Sequence, residues 1–291
     1  METITDDLEL ERAGFYWRKN SGVRALVCSP LEREGFTNGF STRLGGVSPM
    51  PDEALNLAGF NDDAAENILE NRRRFLKLFP GNWTLAGCWQ MHAVDVRVVK
   101  NAVDAKPAEN ARGETVYCDA IVSGAENVLA AIKTADCAPI LIGDPATRSF
   151  AAVHAGWRGT FAGIVFYALE RLTKEFGARP RDLRVAIGPA AAACCYEVGS
   201  EVIDGFSERF ANAGDLFTRT REGHAYIDLL KANRDQLIAA EVVPERIHIA
   251  PLCTMCRTDL FFSYRREKQL RGKVGRLMAV IGSLHNLDRK V

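Results

Sequence analysis

Two imidazoles and one thiol, each in a short segment next to turn-forming residues, carry the most specific chemistry of this chain. They are His92 in Gln90-Met91-His92, Cys137 in Thr134-Ala135-Asp136-Cys137, and His154 in Val153-His154-Ala155-Gly156-Trp157-Arg158-Gly159. Two neutral histidines and a thiolate form a ligand set suited to zinc, with copper as the alternative. Three protein ligands leave one coordination position for a polarised water or a substrate atom. The pattern therefore points to a metal-dependent enzyme rather than to a scaffold stapled by metal.

The flanking residues extend this reading. Gly156 and Gly159 open backbone conformations closed to other residues, and the helix expected after them would aim unpaired N–H groups and a positive dipole end at whatever His154 holds. Arg158 adds a permanent cation there. Arg43, followed by Gly45 and Gly46 in a loop able to approach a ligand, is the first candidate for bidentate phosphate contact, with Arg158 and Arg265 as helpers. Asp136, adjacent to Cys137, is the candidate proton carrier or supporting group of the site.

These groups must be positioned by a mixed fold. The stretch from Phe36 to Ala58 reads as an ordered loop. A helix is expected after Asp62-Asp63, with Ile68, Leu69, Phe75, Leu76 and Leu78 near a 3.6-residue period and Pro80-Gly81 as its stop. Short β-rich runs follow at 94–99, 119–122, 128–133, 139–143 and 149–154. Trp157 through Phe176 reads as one helix with an apolar stripe of Phe161, Ile164, Val165, Ala168, Leu169 and Leu172. Beyond it the pattern predicts a strand at 183–188, helices at 200–210 and 227–240, and strands at 246–250 and 277–282. Helices and strands without a regular βαβ rhythm argue for an α+β sandwich rather than a doubly wound sheet.

Composition sets the bounds. The chain has 291 residues, 47% of them hydrophobic and 25% charged, which is enough for a substantial core. Lysine plus arginine and aspartate plus glutamate both number 37, so no bulk charge favours nucleic acid or an anionic membrane, and anion recognition must be local. The acidic start, Met1-Glu2-Thr3-Ile4-Thr5-Asp6-Asp7, lacks the features of a secretory signal, and no run approaches the ~20 apolar residues of a spanning helix. A cytoplasmic protein with small-molecule substrates is expected. Its eight cysteines are then reduced and available as ligands.

The remaining thiols and imidazoles read as structural. Cys253-Thr254-Met255-Cys256 has knuckle spacing but no second pair of that spacing, and the vicinal Cys194-Cys195 in an alanine-rich run reads as core. His224 and His285 read as surface residues and His248 as part of a strand. Two other chemistries stay open. Cys137 with His154 as its base would suit a cysteine hydrolase or amidase. Phenol oxidation by copper would have to come from a lone site, because only five histidines are present.

Beyond these local readings, nearly the whole chain resembles the YfiH family, also called the polyphenol oxidase or laccase-domain family and the peptidoglycan editing factor family. The resemblance runs from Gly39-Phe40-Ser41-Thr42-Arg43-Leu44-Gly45-Gly46-Val47-Ser48 to Gly275-Arg276-Leu277-Met278-Ala279. Its most specific parts are Gln90-Met91-His92-Ala93-Val94-Asp95-Val96, Thr134-Ala135-Asp136-Cys137, His154-Ala155-Gly156-Trp157-Arg158-Gly159, Ile187-Gly188-Pro189 with Cys194-Cys195-Tyr196-Glu197-Val198, and Phe261-Phe262-Ser263-Tyr264-Arg265-Arg266. The resemblance implies a single domain over residues 1–291, built as a four-layer α/β/β/α sandwich with mixed sheets. It implies a zinc site, or a copper site, at the positions of His92, Cys137 and His154. It also implies phosphorolysis of adenosine, guanosine, inosine and methylthioadenosine, and deamination of adenosine. A role in editing aberrant cell-wall precursors is the alternative that one family name suggests, and a monomer or small homo-oligomer is expected. The sequence departs from the family pattern at Asn61-Asp62-Asp63 and at Glu267-Lys268-Gln269-Leu270-Arg271, which puts loop geometry in doubt rather than chemistry.

Overall fold

Two six-stranded sheets face one another across the centre of the computed structural model, which describes residues 3–49, 53–59, 63–105 and 115–283. Met1, Glu2, Asn61, Asp62 and His285 of the sequence reading lie outside the described residues. The first sheet runs Phe15–Asn20, Val23–Cys28, Phe36–Ser41, Leu277–Ser283, Val128–Thr134, Thr84–Ala86. The second runs Ile247–Ile249, Arg184–Ile187, Ala138–Gly143, Phe150–Ala155, Ala120–Ser123, Val96–Val99. Both sheets are mixed, with parallel pairs at their margins and antiparallel pairs at their centres.

The layering follows from which face of each strand is apolar. Phe15, Phe36, Phe40, Ile132 and Ile281 of the first sheet pack against Ile121, Leu141, Phe150 and Ala186 of the second, forming the central core. Because side chains alternate along a strand, the residues between these point outward. Ala25, Leu129, Met278 and Val280 meet Phe75 and Leu78 of the helix region beginning at Ala65. Val122, Ile140, Ile142 and Val153 meet Ile164, Val165, Ala168, Leu169 and Leu172 of the helix Ile164–Phe176, with Leu237 of the helix Leu229–Ala239. Helix, sheet, sheet, helix is the four-layer order. A satellite core around Phe206 and Ile227 ties a third, three-stranded sheet to the helix Ser200–Arg209.

Several boundaries differ from the sequence reading for identifiable reasons. The stretch expected as a loop from Phe36 begins with the fully buried strand Phe36–Ser41. Its polar Asn38 is satisfied because the side-chain amide bonds the N–H and C=O of Cys28, substituting for strand neighbours. The hairpin Phe15–Asn20 and Val23–Cys28 was not anticipated at all. The single helix expected from Trp157 divides into Trp157–Ala162 and Ile164–Phe176, because Gly163 takes a left-handed φ of 83° that caps the first and starts the second. On the helix Ala65–Leu76, Leu69 is exposed, and the buried place goes to Asn71, whose amide bonds Ser48 and the carbonyls of Ala54 and Asn56. Residue Ile227 ends a strand rather than starting a helix; the helix begins at Leu229 under the Asp228 cap.

Candidate metal centre

Cys137 stands in the link between the two sheets, just after Val128–Thr134 of the first and just before Ala138–Gly143 of the second. The link turns sharply at Asp136, whose φ of 87° is a costly conformation for a non-glycine residue. Three hydrogen bonds hold it there. The Thr254 hydroxyl donates to one carboxylate oxygen at 2.7 Å, and the Ser263 hydroxyl at 3.0 Å and the Arg265 backbone N–H at 2.7 Å donate to the other. The Asp136 carboxylate, next to Cys137 in the chain, is thus taken up by Thr254, Ser263 and Arg265, while burial holds its carboxyl above the ordinary value.

His154 lies near the end of the strand Phe150–Ala155, beside the start of Ala138–Gly143, where the register pairs it with Pro139. Its Nδ1–H donates to Asp119 Oδ1 at 2.8 Å, which leaves Nε2 to face a ligand. The same carboxylate accepts the backbone N–H groups of Met91, His92 and Ala93, at 3.1, 2.9 and 2.8 Å. One buried aspartate therefore orients one ligand ring and fixes the loop that presents the other. Burial works against the charge of Asp119, but these donors outweigh it and hold its carboxyl below the ordinary value. The loop is clamped on its other side by Gln90, whose amide bonds the C=O and N–H of Lys133.

Convergence is complete for the three ligands read from the sequence. One ligand atom from each of His92, Cys137 and His154 lies within 4.8 Å of the others, with Cys137 Sγ 3.8 Å from His92 Nε2. Gly156 keeps the space clear: a Cβ there would come 2.8 Å from Cys137 Sγ and 3.0 Å from the His92 ring. Two nitrogens, one sulfur and an oriented tautomer fit a zinc or copper ion with one side open.

The protonation states fit as well. Desolvation pushes the Cys137 thiol up, yet the positive charge of His154 and hydrogen bonds to both histidines overcome it and bring the thiol to about 6. Burial pushes His154 down, and the Cys137 thiolate with Asp119 more than reverses this, raising it to about 9. Between those values the metal-free site is a thiolate–imidazolium pair, so a metal arriving at pH 7.5 displaces the His154 proton. Metal affinity should rise with pH through this range and fall more steeply below about pH 6, where the thiolate is also lost. Calorimetric titration with zinc in buffers of different ionisation enthalpy measures the protons released; pH-independent affinity from pH 5.5 to 8.5 would contradict the assignment.

The triad forms the floor of a cleft of about 590 Å³. Trp89, Trp157, Tyr196 and Tyr264 supply aromatic wall, and Lys133, Arg158, Arg265 and Arg276 supply four cations. Arg265 packs over the Tyr196 ring at 5.0 Å and donates to the Glu197 carbonyl at 2.8 Å. Burial and the nearby Cys137 charge push the Tyr196 hydroxyl up to about 12, so it stays a proton donor.

Arg43 is not brought to this cleft. Its guanidinium is buried, pairs with Glu267 at 3.0 Å, donates to the carbonyls of Thr258 and Phe261, and stacks on Phe262 at 4.5 Å. Gly45 and Gly46 pack against the backbone of Gly22 and Ala54, and so they close a loop rather than admit a ligand. The helix after Gly156 is a short Trp157–Ala162 segment instead of the long dipole expected. Asp119, Tyr196, Lys133 and Arg276 were not foreseen as site residues. For Asp119 the usable signal was chemical: a histidine ligand needs an acceptor for its other ring nitrogen.

Losing that acceptor should be measurable. Asp119→Ala frees the His154 tautomer and the Met91–Ala93 loop together and is expected to weaken metal affinity ~10–100-fold. Competition with a chromogenic chelator checks it.

Residues 37–283 match the family model described as multi-copper polyphenol oxidoreductase laccase. A Geobacillus stearothermophilus protein named purine nucleoside phosphorylase YlmD is 34% identical over 88% of this chain and 93% of its own length. One from Deinococcus radiodurans, named purine nucleoside phosphorylase, is 37% identical over 84% of this chain and 87% of its own. The crystal structure of YlmD from G. stearothermophilus superposes with a TM-score of 0.84 at 32% identity, covering 94% of this chain and 99% of that one. The YfiH structure from Bacillus licheniformis does so at 0.82 with 29% identity, covering 93% and 99%. With the match running from residue 37 to 283 and taking in His92, Cys137 and His154, the chain belongs to this laccase-like family, together with the YfiH and YlmD proteins.

Proposed function

We propose that the protein is a purine nucleoside phosphorylase acting on adenosine, guanosine, inosine and methylthioadenosine, with deamination of adenosine as a second reaction of the same cleft. The observation that carries this reading is a cleft combining a His-Cys-His floor, aromatic walls and a ring of cations. Its volume suits a nucleoside with phosphate. The relatives named purine nucleoside phosphorylase support phosphorolysis of purine nucleosides as the class of reaction.

Phosphorolysis breaks the bond between ribose C1′ and purine N9 while a phosphate oxygen bonds C1′, so the protein must hold a dianion and accommodate a base that leaves with the bonding electrons. Arg158 and Arg265, on the cleft wall, hold the phosphate and lower its repulsion with the departing base. Trp89, Trp157 and Tyr264 offer flat apolar surface for the purine, and the protonated hydroxyl of Tyr196, which lines the same cleft, donates to it. A bound zinc or copper ion would supply Lewis-acid polarisation of a substrate atom or of water at the floor. In deamination water adds at C6 of adenosine and ammonia leaves. Asp136, held by three donors, positions Cys137 in both reactions.

Zinc-loaded protein incubated with inosine or adenosine should release hypoxanthine or adenine together with ribose 1-phosphate only when phosphate is present. Arg265→Ala should raise KM for phosphate about tenfold or more, since charge-assisted contacts contribute roughly 1.5–3 kcal/mol. Absence of phosphate-dependent base release removes the proposal. Chelator-resistant capture of Cys137 by a thiol-directed substrate analogue would instead favour the cysteine hydrolase reading, which the thiolate at about 6 beside His154 makes chemically sound.

A further inference from the structure

A second cluster of metal-ligating atoms lies beside the cleft, in residues the proposed chemistry does not use. Cys194 and Cys195 come from the turn after the strand Arg184–Ile187, and Cys253 and Cys256 from the turn after Ile247–Ile249. These two strands are parallel neighbours, so their following turns emerge side by side. The four Sγ atoms lie within 4.8 Å of one another, with Cys195 and Cys194 at 3.0 and 3.5 Å from Cys256. All four are free thiols.

We propose that Cys194, Cys195, Cys253 and Cys256 bind a structural zinc ion. Four sulfurs at about 2.3 Å from zinc in a tetrahedron sit about 3.8 Å apart, within the spread seen here. Four thiolates fill the coordination sphere and leave no position for substrate. Two of the four sulfurs have donors that favour the thiolate. The Ala192 N–H donates to Cys253 Sγ at 3.5 Å, and the Arg266 guanidinium approaches Cys195 Sγ at 3.9 Å, as supporting donors do around metal thiolates. Cys253 is buried while Cys194 and Cys256 are exposed, so an ion can reach the site from solvent.

The turns are already joined without metal, through the bridge of Ala190 with Cys253 and the Thr254 N–H donating to the Ala190 carbonyl at 3.0 Å. The ion therefore locks an existing arrangement. What it locks is the cleft wall: Thr254, between the paired cysteines of one turn, holds Asp136, and Tyr196, next to Cys195, lines the cleft. The sequence hid the site because a vicinal pair and a Cys-x-x-Cys pair do not form a recognisable repeat; only the parallel strand pairing brings them together.

Metal counting on the reduced, zinc-supplemented protein tests this independently of any catalytic activity. The wild type should hold two zinc ions per chain, and His92→Ala/Cys137→Ala should keep one. A cobalt-substituted form of that variant should show the intense thiolate-to-cobalt charge transfer of a tetrahedral sulfur site. Cys253→Ser/Cys256→Ser should lose one ion and keep the other. If either variant fails to fold, graded addition of an organomercurial to the wild type decides the matter, since two zinc equivalents should be released as thiols are consumed. The proposal is overturned if the wild type binds a single zinc and folded His92→Ala/Cys137→Ala binds none. It is equally overturned if the cluster takes up copper(I) but not zinc, or if mass spectrometry of the zinc-supplemented wild type finds Cys195 and Cys256 joined in a disulfide.

Discussion

Replacing Cys137 with alanine is expected to abolish turnover and the metal of the His-Cys-His centre together. The thiol is the one anionic ligand of the three, and it faces both imidazoles. Its loss leaves two histidines, one of them tied to Asp119, and no negative charge to balance a divalent cation. Metal catalysis supplies several kcal/mol of transition-state stabilisation, so kcat should fall by roughly a thousandfold or more. The readouts are metal content and kcat on the same sample. A Cys137→Ala protein that contains no metal at this centre yet turns over at the wild-type rate would remove the metal from the mechanism. Cys137→Ser keeps the size but offers a poor ligand, and its behaviour should follow alanine rather than wild type.

The second large effect concerns stability. Glu267→Ala strands the Arg43 guanidinium in the interior, where only the carbonyls of Thr258 and Phe261 and the face of Phe262 remain to it. Both side chains of this pair are under a tenth exposed. Removing one partner of a buried pair costs ~3–5 kcal/mol, which for a chain of this size corresponds to a Tm lowered by about 10 °C. Calorimetry on metal-loaded protein checks it. The Ser263 N–H, which Glu267 also receives at 2.9 Å, is lost as a partner too. Arg43→Met should likewise lower Tm while leaving KM for phosphate unchanged. A raised KM for phosphate with unchanged Tm would return Arg43 to the role expected from sequence.

The difference between what was and was not legible follows the range of the interactions. Strand positions from 94 to 154 could be read because apolar runs there are continuous and sharply bounded. The strand Phe36–Ser41 escaped because Asn38 and Gly39 look like turn residues until the Asn38 amide is seen bonded to the Cys28 backbone. Among the candidate ligands, residue type sufficed to pick out His92, Cys137 and His154, the three side chains that converge, since few side chains have the chemistry. It misled for Arg43, because an arginine beside glycines gives no sign of a glutamate 224 positions along the chain. Asp119, whose need was readable but not its position, and the cluster of four thiols were not located for the same reason: their partners are set by sheet pairing, which no local spacing encodes.

The placement of Cys137 in the link joining the two sheets has a mechanical consequence. One ligand rides on that crossing, another on a strand of the second sheet, and the third on a loop pinned to both through Asp119 and Lys133. Any sliding of one sheet over the other would pull the donor atoms apart, so the interior acts as a chassis whose alignment is also the calibration of the active centre. Mutations in the inter-sheet core far from the cleft should then detune metal affinity before they unfold the protein.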